Sequence, residues 1–92
     1  VMAAYYEMLN ISSTWLIKKG IKKSIANGYI SELFLSLSQD AVNKKSQGFK
    51  KLVADSQTPK GLNMQVLNEL KKVKFYIKFI KALENINKRL SK

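Results

Sequence analysis

An all-α fold of about five helices is the expectation for this sequence, and three observations carry it. Apolar residues recur at steps of three and four along most of the 92-residue chain, the period of an amphipathic helix. No segment reads as a strand, a repeat, a low-complexity tract or a flexible linker. The single proline, Pro59, stands with Gly61 in a short break between two helical patterns, where proline cannot continue a helix.

The first helix is expected over Met2 to Lys19. Tyr5, Met8, Leu9, Ser12, Ser13, Leu16 and Ile17 recur at helical spacing, and Tyr6 and Trp15 widen the stripe. A helix apolar nearly all round is buried on several sides, which in so short a chain calls for a second subunit. Lys18 and Lys19 suit the negative end of the helix dipole, and Gly20 suits the terminating position. The aromatic cluster Tyr5, Tyr6 and Trp15 reads as packing rather than as a ligand box. A second helix is expected from about Ile21–Ser24 to Lys45. Ile25, Tyr29, Leu33, Leu37 and Ala41 form one stripe on it, and Ala26, Ile30, Phe34 and Val42 a neighbouring one. The stripes keep phase across Asn27-Gly28, so Gly28 reads as a tolerated glycine that costs ~1 kcal/mol against alanine and lets another helix come close.

Ser46 is placed to cap a third, short helix over Gln47–Asp55 carrying Phe49, Leu52 and Val53. A fourth runs from Leu62 to about Lys72, its apolar period restarted by Leu62, Val66, Leu67 and Leu70. Val73-Lys74 offers a hinge. In the fifth, Phe75, Phe79, Leu83, Ile86 and Leu90 follow at steps of four, four, three and four. Lys78, Lys81, Glu84 and Lys88 lie off that stripe, with Glu84 and Lys88 spaced for a helix ion pair.

Composition narrows the chemistry. The chain has no cysteine and no histidine, which removes disulfides, thiolate nucleophiles, most zinc sites and every histidine-based triad. Asp55 and Glu69 flank the Pro59 loop but read as solvated or helix-end charges. No residue is therefore put forward as catalytic, metal-ligating or cofactor-binding. The net charge of +11 taken alone points to nucleic acid or an anionic membrane. Yet all the basic residues but Arg89 are lysines, dispersed in pairs such as Lys18-Lys19, Lys44-Lys45 and Lys71-Lys72. Specific readers of nucleic acid favour arginine, so solvated faces are the better reading. No apolar run approaches the roughly 20 residues that span a bilayer. Glu7 interrupts the first apolar run and no basic segment precedes it, unlike a signal peptide. That run begins at Val1 with no capping residue before it, and the expectation is a single helical domain, 1–92, cut from a longer protein.

The candidate site is the loop Thr58-Pro59-Lys60-Gly61-Leu62-Asn63. Pro59 biases Thr58 towards an extended conformation. Gly61 has backbone freedom and permits close approach. The loop then opens a helix, whose free N–H groups favour an anion. Taken by itself, Thr-Pro-x-Gly more often marks an ordinary interhelical turn, and it is the resemblance of the flanking residues that favours a site.

Thr58-Pro59-Lys60-Gly61-Leu62-Asn63-Met64-Gln65-Val66-Leu67, followed by a helix ending Ala82-Leu83-Glu84-Asn85-Ile86-Asn87-Lys88-Arg89-Leu90, resembles the C-terminal dimerisation domain of the pyrroline-5-carboxylate reductase family, in particular a branch with a Thr-Pro-Gly-Gly-Leu-Asn loop. Met2-Ala3 near an aromatic pair, Trp15 before Gly20, and Tyr29 followed by Leu33-Phe34 are similar to that branch as well. The resemblance implies an all-helical domain of the C-terminal type found in 6-phosphogluconate dehydrogenase, dimerising through interlocked helices. It also implies a preceding Rossmann domain that binds NADP or NAD, a cytoplasmic location, and hydride transfer to a cyclic imine, yielding proline in the type member. Thr58 to Asn63 would then offer backbone N–H groups to the substrate carboxylate. Departures are plain. Lys60 replaces the first family glycine, Leu62-Asn63 stands where type members have Thr-Thr, and no Gly-x-Gly-x-x-Gly fingerprint occurs. This chain alone is thus expected to bind no cofactor and to be inactive, with a second copy, the missing Rossmann domain and a small carboxylate as partners, and neither nucleic acid nor membrane. The alternative is a small basic helical module that binds nucleic acid or an anionic membrane surface.

Overall fold

The computed structural model describes residues 1–91 and is all-helical. The helices are α1 (Met2–Lys18), α2 (Lys23–Asn43), α3 (Phe49–Asp55), α4 (Leu62–Lys72) and α5 (Phe75–Leu90), with a 3-10 turn at Lys45–Gln47. No strand occurs among the described residues. Two compact units divide the chain, Val1–Gly48 and the part from Phe49 on.

In the first unit α1 ends as the glycine rule requires. Gly20 takes φ +100°, a left-handed conformation that costs glycine little. The Ile21 N–H donates to the Leu16 carbonyl at 3.1 Å and the Gly20 N–H to Ile17 at 3.0 Å, the paired bonds of a Schellman cap. The chain turns and α2 packs back against α1. Of the two apolar stripes on α2, the contact uses the one with the smaller leading residue. Ala26 is 0 % exposed and Ile30 nearly so, whereas Ile25, Tyr29 and Leu37 remain in water. On α1 the buried position is Ser13, between half-buried Leu9 and Leu16. Small side chains let the helix axes approach, and the approach buries little area. Tyr5 meets Phe34 edge to face, ring centroids 6.0 Å apart. Trp15 stays 59 % exposed, with the Lys19 ammonium 5.8 Å from its ring centre, a weak cation–π contact at an exposed site.

Three local expectations are corrected here. α2 runs unbroken through Gly28, but a side chain at Gly28 would meet nothing within 4 Å, so no helix of its own unit packs closely there. Ser46 sits in the 3-10 turn and caps nothing; Gly48, at φ +88°, ends that turn, and α3 begins at Phe49 rather than Gln47. Among the described residues Glu84 and Lys88 do not pair, while Asp40–Lys44 (3.1 Å) and Lys51–Asp55 (2.7 Å) do. All are exposed positions, where ordering two long side chains offsets most of the Coulomb gain.

In the second unit α4 spans the expected residues. A left-handed Lys74, φ 62° and ψ 31°, makes the hinge before α5, and the two helices touch. The half-buried residues are Leu52, Met64, Leu67 and Leu70, joined by Gln57 and Gly61 in the loop. Leu62 and Val66, expected on the inner stripe of α4, are 81 % and 56 % exposed, because the inward face is rotated towards Met64. No residue of α3, α4 or α5 is buried.

Candidate functional site

The loop between α3 and α4 is built from backbone upward. The Ser56 N–H still donates to the Leu52 carbonyl at 3.1 Å, extending the last turn of α3. Then the Thr58 carbonyl accepts from the Gly61 N–H at 2.8 Å, closing a four-residue turn. Pro59 holds its second position and Lys60, at φ 62°, its third, the pattern of a type II turn, whose third position favours glycine. Gly61 caps α4 with φ −81° and ψ 165°, ordinary extended angles. Its expected backbone freedom is therefore not what the site uses. What it needs is the lack of a side chain: a Cβ there would collide with the Thr58 hydroxyl and lie 2.9 Å from the Thr58 carbonyl oxygen. The unusual conformation belongs to its neighbour Lys60.

α4 then starts, with the Gln65 N–H donating to the Gly61 carbonyl at 3.1 Å. No side chain caps it, so the N–H groups of Leu62, Asn63 and Met64 precede the first intrahelical bond, as at any helix start. The Asn63 amide is turned back, donating to the Ser56 carbonyl at 3.1 Å, and so ties the start of α4 to the end of α3. Thr58, Pro59, Lys60, Leu62 and Asn63 are all exposed and Gly61 is half-buried. The structure thus brings the six predicted residues together as one turn and helix start, on an open surface rather than in a cleft.

A cavity of about 370 Å³ does occur in the first unit, between α1 and α2, lined by Tyr6, Asn10, Ser13, Lys23 and Asn27 among others. At its floor the Ser13 hydroxyl donates to the Asn27 side-chain oxygen at 2.5 Å, and no buried side-chain polar atom among the described residues lacks a partner. Sequence reading missed this polar contact. The signal was there: a serine in the middle of an apolar helix, and an asparagine beside Ala26 on the stripe that packs. Among the described residues no three Asp or Glu side chains gather as metal ligands would, and no helix is long and apolar enough to cross a membrane.

Compared with protein-family models, with curated proteins and with solved structures, the chain matches none.

Proposed function

We propose that the chain is the dimerising, substrate-side helical part of an NAD(P)-dependent reductase of the pyrroline-5-carboxylate reductase type, its helices arranged as in the C-terminal domain of 6-phosphogluconate dehydrogenase. A preceding Rossmann domain supplies NADP or NAD, the reaction is hydride transfer to a cyclic imine, and the setting is cytoplasmic. The free backbone amides of Leu62 and Asn63 face the substrate carboxylate, with Thr58, Pro59, Lys60 and Gly61, whose own N–H closes the turn onto the Thr58 carbonyl, shaping the loop that presents them.

The observation that carries this reading is the steric demand of the turn. Position 60 takes a left-handed φ of 62° and position 61 has no room for a Cβ. Both geometries call for glycine, and a Ser/Thr-Pro-Gly-Gly loop is what the resembled family carries there. Self-association has separate support. In the two longest helices only Ser13, Ala26 and Ile30 are buried, while Tyr6, Ile11, Trp15, Ile25, Tyr29 and Leu37 each stay more than half exposed. Faces of that size on α1 and α2 fit a seam between copies.

Two measurements test the reading. Sedimentation velocity at micromolar concentration should give twice the 10.5 kDa mass of the chain; a monomer removes the dimer. Titration with proline, followed by amide NMR, should move the Leu62 and Asn63 resonances together. If those two stay still while the dimer holds, the carboxylate role of the loop is lost.

A further inference from the structure

α5 has the most sharply divided surface in the chain. At 3.6 residues per turn, Phe75, Phe79, Leu83, Ile86 and Leu90 fall on one stripe, Lys78 and Arg89 border it, and Lys81 and Lys88 lie opposite, with Ile77 as the one large apolar residue among them. Lys74 precedes the helix, and Glu84 is its sole acidic residue. Within its unit this helix buries nothing. The least exposed member of the stripe, Phe75, keeps 39 % of its surface in water, and Leu90 keeps 78 %. A face so narrow, aromatic and bordered by cations differs from the broad apolar circumference of α1, which needs protein on several sides. It matches a flat boundary that offers hydrocarbon below and negative charge beside it. Lysine and arginine stems can lie along such a boundary while their heads stay in the polar layer. Helix α5 is not long and apolar enough to cross a bilayer, so it would lie in the plane of the surface.

We infer that α5 is a docking helix for an anionic phospholipid surface, its Phe75–Phe79–Leu83–Ile86–Leu90 stripe set into the headgroup boundary and the bordering cations Lys78 and Arg89 paired with lipid phosphates. This goes beyond the reductase reading, whose proposed seam and carboxylate site lie on α1, α2 and the Thr58–Asn63 loop, and it replaces that reading's expectation of no membrane partner. The favoured occupant is lipid because charge and apolar area lie along the same helix. A nucleic-acid backbone would use the charge and leave the stripe in water.

The test is flotation of the full chain with vesicles of phosphatidylcholine containing about 30 mol % phosphatidylglycerol, an anionic fraction that gives a negative surface potential. Binding should exceed that to pure phosphatidylcholine more than tenfold and weaken with salt. Lys78→Glu combined with Arg89→Glu should reduce it more than tenfold. Lys22→Glu combined with Lys23→Glu makes the same change in net charge at the start of α2, where acidic residues suit the helix dipole, and should reduce it far less. Equal loss in the two double variants would mean adsorption by net charge alone and overturns the proposal. Phe79→Trp in a Trp15→Phe background reports insertion: its emission should shift to the blue on vesicles, and an unshifted spectrum overturns the proposal even if binding occurs. Retention of a DNA duplex with no vesicle flotation also overturns it. Sedimentation of the same samples separates any of these failures from failure of the dimer.

Discussion

The first unit and the second unit spend their apolar residues differently. Along α1 and α2 the apolar positions are smeared round the circumference, yet this is where the chain buries side chains, at Ser13, Ala26 and Ile30. Along α5 most form one stripe, with Ile77 and Ile80 off it, yet none is buried. Periodicity reports which face of a helix is apolar. Burial depends on whether another element can reach that face, and the small residues Ala26 and Ser13 let α1 and α2 reach each other. On α5 each ring or branched chain keeps at least 39 % exposure, so the contacts of its own unit leave the stripe uncovered.

The largest expected effect strikes the closest contact. Ala26→Leu places a branched chain where Ala26 has 0 % exposure, and should cost about 3 kcal/mol by overpacking, lowering the thermal midpoint by roughly 10 °C or more. Tolerance of leucine would mean that α1 and α2 are not held as close as the structure has them. Gly61→Ala should cost about 1–2 kcal/mol, because the new Cβ must push the Thr58 carbonyl aside; a stabilised variant in chemical denaturation would show that the turn opens in solution.

Ser13→Ala removes the donor to Asn27 and should cost about 1 kcal/mol, measurable in the same denaturation series. Lys60→Gly should go the other way, by about 1 kcal/mol, since glycine relieves a left-handed residue at φ 62°. The smallest effect is expected on α5. Ile80, 58 % exposed, should accept Ile80→Asn within about 0.5 kcal/mol. A loss well above that, growing with protein concentration, would show that a second copy covers α5 and would redraw the contrast between the units.

Much of the backbone was legible from residue order. The limits of α4, the end of α1 at Gly20 and the bend at Lys74 follow from apolar period and glycine, which act through neighbours in the chain. The turn at Pro59 was legible for the same reason, though its strained position proved to be Lys60 and not Gly61. The failures share a cause as well. Which α2 stripe packs, the rotation of α4 towards Met64, the open surroundings of Gly28, and the Ser13–Asn27 contact across 14 positions all depend on non-local contacts.

By itself, then, the sequence determined an all-helical chain, where its helices stop, and a turn at Pro59 before α4. Only the tertiary structure decided that Ala26 and Ile30, rather than Ile25 and Tyr29, meet α1, and that the α5 stripe stays in water. The physical reason is the range of the forces. Capping, turn closure and helical period act over a few residues, whereas burial is settled by shapes that arrive from distant parts of the chain.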